Sequence, residues 1–401
     1  MRLLHTSDWH LGITLNDKSR KAEMEAFFEF LLSVIEKNAV DTLVISGDIY
    51  DTATPSNEAE KMYFGFLRRL CKSCCKDVVI IAGNHDSMYK LGASEDILKL
   101  LNIHVFTSIL NIEPLVLEDR AIIVPVAFPR EQELLKAISG ESIDETQDRR
   151  KIAINNLYAC LLEKAQSIND KRDVKLPIIG TGHIAVSSAN LDGEVDKNLY
   201  IGGLGLIDTT AFSDAFSYVA LGHIHKAQAL NKTGTVRYSG SPIAMTFDEA
   251  KYPKSIVLAC CEYGKPAEIS LIEIPKTREL ITLKGTAEEV KQELCSLAAA
   301  GKEGWISLQL TNSYGNANIK AEAQQLLEGS KLEVIMVKNI EELKKFEEDE
   351  ESLAPLTSLN EKYVFEKLLD EQKCPEENRG QLMDLFARVV EQVKTGFTDE
   401  N

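Results

Sequence analysis

Five short apolar runs in the first 225 residues each break off into a polar cluster, and this repeated ending limits what the chain can fold into more than any other feature. Residues 3–6, 42–46, 78–82, 177–181 and 217–221 lead into SDWH, SGDIYD, AGNHD, TGH and LGHIH. A sixth run, residues 121–126, has no such ending. The runs are β-branched and about five residues long, which predicts strands. Between the first two, Met24, Phe27, Phe28, Leu31, Leu32 and Ile35 recur at helical spacing, the stripe of a helix packed on a sheet. Strands alternating with amphipathic helices predict an α/β domain over residues 1–275, its strands covered by helices. In such folds ligands bind beyond the C-terminal strand ends, where loops from several strands converge. The five polar endings are therefore expected to share one crevice.

Asp8 and His10 stand two apart at the first ending, so an extended backbone would place both side chains on one face. Asp48 and Asp51 follow the second run, Asn84, His85 and Asp86 the third, His183 the fourth, and His223 and His225 the fifth. Five of the chain's 7 histidines fall in this series. Carboxylates, an amide oxygen and imidazoles make a mixed oxygen and nitrogen donor set suited to Mn²⁺, Zn²⁺ or Fe²⁺, and the absence of thiolates argues against a structural zinc site. Gly47, Gly83, Gly182 and Gly222 each precede one of these residues or clusters, where positive φ or close backbone approach would call for glycine. The 8 cysteines form no second CxxC and read as reduced thiols.

The ordered set D-x-H, G-D-x-x-D, G-N-H-D, G-H and G-H-x-H resembles the calcineurin-like metallophosphoesterase superfamily. HTSDWHLG, SGDIYDTATPS, AGNHDS, YVALGHIH and VRYSGSPIAMTFDE place the resemblance in its DNA-nuclease branch. The resemblance implies a β-sandwich flanked by helices and two Mn²⁺ ions, other divalent ions being possible. One ion would be held by Asp8, His10, Asp48 and His225, the other by Asp48, Asn84, His183 and His223, with Asp48 shared. It implies that His85 stabilises the transition state or protonates the leaving oxygen, oriented by Asp51. It also implies exonuclease action on double-stranded ends, endonuclease action on single strands and hairpins, roles in recombination and repair, an SMC-type ATPase partner, and a homodimer formed through helices near residues 58–70 and 91–101.

After residue 280, LITLKG, WISLQLT and LEVIMVKN alternate with two helical stretches. Residues 276–341 are read as a small α+β domain, which the resemblance makes a cap over the DNA cleft. Residues 342–401 are an acidic linker and a helical pair, with apolar stripes Tyr363, Val364, Leu368, Leu369 and Leu382, Leu385, Phe386, Val389. They are expected to dock on the ATPase, whose basic surface would complement a chain of net charge −17. No run approaches the roughly 18 apolar residues of a membrane span, and the expected location is the cytoplasm.

Lys18 and Arg20, near the first ending, are candidate phosphate contacts, with exposed charge as the competing reading. Ser241, in SGSPIAMTF, is either part of a Pro turn or a DNA-backbone contact. Asp86 reads equally well as a cap for the next helix. Trp9 is expected beneath the site loop, and His5 and His104 are expected to be structural. Two other functions compete: a phosphatase with the same metals and a different cleft, and a catalytically idle scaffold, which would show a degraded ligand set.

Overall fold

The computed structural model describes residues 1–137, 146–189, 207–311 and 318–340, with single positions between 365 and 386. Its core is two six-stranded sheets packed face to face. The first runs, in spatial order, Glu268–Glu273, Ser255–Cys260, Arg2–Thr6, Thr42–Ser46, Asp77–Ile81 and Ile103–Phe106. The second runs Gln228–Ala229, Val236–Tyr238, Tyr218–Gly222, Ile178–His183, Ala121–Val124 and Leu115–Leu117. The central strands of each sheet are parallel; the second sheet is antiparallel at both edges and the first at one, its other edge Ile103–Phe106 being parallel, so the C-terminal ends of the central strands open on one rim.

Leu3, Val44 and Val79 of the first sheet meet Ile123, Ile179, Tyr218 and Ala220 of the second in an apolar layer. The strands are apolar on both faces because one face meets the other sheet and the opposite face meets a helix. Alternation alone cannot separate those two coverings, so the local pattern reads as helices on both sides of a single sheet. Helix Lys21–Asn38 lays Met24, Phe27, Phe28, Leu31 and Ile35 on the first sheet, and Thr146–Asp170 covers the second through Ile154, Tyr158, Leu161 and Ala165. Trp9 is fully buried edge-on to Phe27, Phe28 and Phe66, a packed floor for the loop carrying Asp8 and His10.

Residues 279–339 form a separate parallel three-stranded sheet, Glu279–Gly285, Glu303–Leu310 and Lys331–Asn339, with crossover helices Ala287–Ala299 and Ile319–Leu326. Thr286 and Glu289 form a reciprocal capping box at the first helix. This unit rests on the sandwich through Leu15, Phe247, Trp305 and Ile335. The expected C-terminal pair lies mostly outside the described residues, among which Phe365 stacks on Phe386 at 4.1 Å. No helix of the described residues is long and apolar enough to cross a membrane.

Candidate metal centre

All five polar endings meet at the rim. Asp8 and His10 lie just beyond strand Arg2–Thr6, but not on an extended backbone: both are left-handed, φ 54° and 46°. Backbone hydrogen bonds hold the turn, from Asp8 N–H to the Gly47 carbonyl and from His10 N–H to that of Asp48. The same-face expectation thus fails in its reason while the two side chains still converge. Close backbone approach accounts for two of the glycines. A Cβ at Gly83 would overlap Asp48, and one at Gly222 would overlap the Ser46 carbonyl.

Two clusters emerge. Asp8, His10 and His225 offer donors within 4.8 Å of one another, and so do Asp48, His183 and His223. His10 Nε2 lies 3.1 Å from His225 Nε2. Asn84 Oδ1 lies 3.0 Å from both His183 Nε2 and His223 Nδ1. Asp48 Oδ2 sits between the clusters, 3.5 Å from His10 Nε2 and 3.2 Å from His183 Nε2. Its Oδ1 accepts the His85 N–H at 2.9 Å, leaving Oδ2 free to serve both sides. All seven expected ligands are in this cage. A third cluster, His10, Asp51 and His85, adjoins it.

The donor set fits divalent cations. Asp8 and Asp48 are almost fully buried, and buried carboxylates call for compensating charge. The titration behaviour agrees. Burial opposes ionisation of Asp48, yet His183, His10 and His85 outweigh it and hold its carboxyl below the usual range. Burial also opposes protonation of His183, but Asp48 raises it to about 9. His223 is lowered to about 3 by burial and by the charge on His183. His225 is raised because Glu249 outweighs its burial.

The His183 and His225 rings are held from behind. His183 Nδ1 donates to the Ser46 carbonyl at 2.8 Å. His225 Nδ1 meets Glu249 Oε1 at 3.0 Å, and His10 Nδ1 faces Asp51 Oδ1 at 3.3 Å. With its carboxylate turned to His10, Asp51 meets His85 through the main chain: its carbonyl accepts from His85 Nδ1 at 2.7 Å. That contact leaves His85 Nε2 free on an exposed ring.

Arg20, Ser241 and Asp86 depart from expectation, and Lys18 has an acidic partner. Arg20 is buried, forked on Glu23 at 2.7 Å and bonded to the Ala244 carbonyl, so it has no free donor face for a phosphate. Lys18 Nζ pairs with Glu333 at 2.6 Å and ties a hairpin to the small domain. Ser241 is fully buried and bonds Glu249, Lys254 and the Ile243 carbonyl. Asp86 caps no helix. Ser87 does that, while the buried Asp86 carboxylate accepts N–H groups from Ile49, Tyr50 and Gly83 and ties two site loops together. His5 and His104 are structural as expected: His5 is buried against Tyr218 Oη at 2.8 Å, and His104 lies 3.9 Å from Asp77.

Sequence reasoning missed Glu249, Lys254 and Ser7, whose hydroxyl bonds Asp8. Glu249 lies in the quoted motif VRYSGSPIAMTFDE, but an acidic residue in a polar turn looks like any solvated charge. Nothing local gives its position away.

Comparison with known proteins agrees with this geometry. Residues 1–227 match the family described as calcineurin-like phosphoesterase, and residues 276–373 match the type 5 capsule protein repressor C-terminal domain. The chain is 32% identical to the SbcD subunit of nuclease SbcCD from Escherichia coli K12 over 97% of its own length and 98% of that protein's. It is 28% identical to the SbcD subunit of Bacillus subtilis over 77% of this chain and 79% of that one. The SbcD subunit of Rhodobacter capsulatus is 31% identical over 64% of this chain and 66% of its own.

Proposed function

From a chain that belongs to the calcineurin-like phosphoesterase family, and within it to the SbcD nuclease subunits, we propose a two-metal phosphodiesterase that cuts DNA with Mn²⁺. The observation that carries this reading is the single Asp48 oxygen placed between two histidine clusters. Asp8, His10, Asp48 and His225 would hold one ion, and Asp48, Asn84, His183 and His223 the other. Two divalent cations bound there supply Lewis-acid stabilisation of phosphate charge and lower the pKa of water.

The chain's own residues do the rest. Asp48, buried and fixed by the His85 N–H, spaces the two pockets. The Asp51 carbonyl keeps a proton on His85 Nδ1, so when the ring carries its second proton the free Nε2–H is the group that can donate a hydrogen bond to the phosphate or pass a proton to the leaving oxygen. With Arg20 and Ser241 buried and Lys18 paired with Glu333, DNA contacts call for other groups and a partner as well, since the net charge of −17 does not attract a polyanion.

The E. coli relative is named as a component of the SbcCD nuclease. By that likeness the partner is an SbcC-like SMC-type ATPase, the substrates are double-stranded ends, hairpins and single strands, and the setting is recombination and repair in the cytoplasm. Phe64, Tyr89, Ile97, Leu100 and Leu101 are exposed apolar residues on or beside helices Asn57–Leu70, Met88–Gly92 and Glu95–Lys99. They support a homodimer through that face.

Digestion of plasmid and hairpin DNA with purified protein and Mn²⁺, with and without an SbcC partner, tests the reading. Wild type should cut, while His85→Leu and Asp48→Asn should not. No cutting in any combination, or turnover of p-nitrophenyl phosphate with DNA untouched, would overturn it in favour of a phosphatase.

A further inference from the structure

Behind His225 lies a buried ionic group that the two-metal reading leaves without a role. Glu249 sits in the short helical turn Glu249–Lys251, 24 residues beyond the histidine and 8% exposed. Its two oxygens are used differently. Oε2 accepts from Lys254 Nζ at 2.6 Å, Ser241 Oγ at 3.2 Å and Met245 N–H at 3.2 Å. Oε1 meets His225 Nδ1 at 3.0 Å. Lys254 also donates to Ser241 Oγ at 2.7 Å and to the His225 carbonyl at 3.1 Å. Lys254 and the Met245 N–H fix one oxygen, with the single Ser241 proton divided between it and the Ile243 carbonyl at 2.9 Å, and thereby aim the other at the ring.

We propose that Glu249 is the positioning residue of the Asp8, His10 and His225 pocket, that Lys254 and Ser241 hold it in place, and that it sets the affinity of that pocket alone for Mn²⁺. A carboxylate can only accept, so the His225 proton stays on Nδ1 and the Nε2 lone pair points to the spot faced by His10 Nε2, 3.1 Å away. Carboxylate-backed imidazoles bind metals more tightly because the partner fixes the tautomer and raises ring basicity. In the other pocket His183 has a neutral backing, the Ser46 carbonyl, so loss of Glu249 should not reach it. Glu249 touches neither the substrate nor the expected ion, and acts only through His225.

This inference rests on the two-metal reading, and the experiment separates their failures. Mn²⁺ is titrated calorimetrically into wild type, Glu249→Ala and Glu249→Gln, and histidine ¹⁵N spectra of the metal-free proteins report the His225 tautomer. Wild type should bind two ions with His225 protonated at Nδ1. Glu249→Ala should weaken one ion by about 10- to 100-fold, leave the other unchanged and release the tautomer. Glu249→Gln has one acceptor and one donor end, and with Lys254 and the Met245 N–H claiming the oxygen its NH2 faces His225 Nδ1, so it should release the Nδ1–H tautomer and weaken the same ion as the alanine variant does. The double variant Glu249→Ala/Lys254→Met removes both charges and avoids leaving a buried unpaired cation, which separates loss of the ring contact from loss of folding. Two ions at wild-type affinity, with His225 still held as Nδ1–H in the alanine variants, would overturn the proposal. Wild type binding a single ion would overturn the two-metal reading, while the tautomer spectra would still decide the role of Glu249.

Discussion

The two halves of the cage share one support, a main-chain N–H on each carboxylate, from His223 to Asp8 and from His85 to Asp48, and differ in what stands behind their histidines. On the Asp8, His10 and His225 side, Glu249 from a distant turn is hydrogen-bonded behind His225, and the Asp51 carboxylate lies 3.3 Å from His10 Nδ1. The Asp48, Asn84 and His183 side is backed by main chain, with the Ser46 carbonyl behind His183 and the His85 N–H on Asp48. One side can be altered by single substitutions among the residues behind it; the other is part of the strand ends and follows whenever the sandwich forms. The lesson is that a symmetrical-looking ligand set can rest on asymmetrical foundations.

The sharpest way to break that comparison is Asp48→Asn, because Asp48 belongs to both sides. Both Mn²⁺ ions should weaken by more than about 100-fold, beyond the range of an outer partner, and calorimetry reads this directly. Loss of one ion only would mean that Asp48 is not shared. Next in size is Asp86→Ala. It leaves the buried N–H groups of Ile49, Tyr50 and Gly83 without their acceptor, at a cost of about 3 kcal/mol, measurable by urea unfolding. Since Asp86 joins the loops of Asp48 and Asn84, its loss should disturb the main-chain-backed side more than His225.

His5 supplies a pH test from beneath both sides. Burial, aided by Arg237, lowers its pKa from 6.5 to about 3, so between those values the unfolded chain binds the proton that the folded chain refuses. Stability should therefore fall as pH drops from 6.5 toward 3, by up to about 1.4 kcal/mol per pH unit from this group. His5→Gln, which keeps a polar partner for Tyr218, should flatten that part of the profile in equilibrium unfolding. An unchanged slope would show that His5 does not set it. The smallest effect belongs to Lys18, whose pair with Glu333 is 43% and 44% exposed on its two sides. Lys18→Ala should change stability by less than about 1 kcal/mol and leave both sides of the cage alike; a larger loss would mean that the small domain's docking reaches the hairpin beside His10.

Much of the site was legible because its signals are local. A strand ending in a polar cluster places a ligand at a rim whichever sheet the strand joins, so Asp8, His10, Asp48, Asn84, His183, His223 and His225 could be named from spacing and resemblance. The failures share one cause. Lys18, Arg20 and Ser241 looked available because a sequence shows no partners, and their partners, Glu333, Ala244 with Glu23, and Lys254 with Glu249, lie mostly on other elements. Asp51 was rightly placed beside His85, but which of its atoms meets the ring was not legible, since the direction of its side chain depends on the turn it sits in.

The sequence by itself determined which strands form, where each stops and what chemistry stands at its end, since period, β-branching and glycine act over a few residues. Only the tertiary structure decided that the strands divide between two stacked sheets, that Asp8 and His10 converge through left-handed turns, and that Glu249 reaches His225. Those outcomes depend on which distant groups meet once apolar faces are buried, and burial favours contact without encoding in any local stretch which partner will be there.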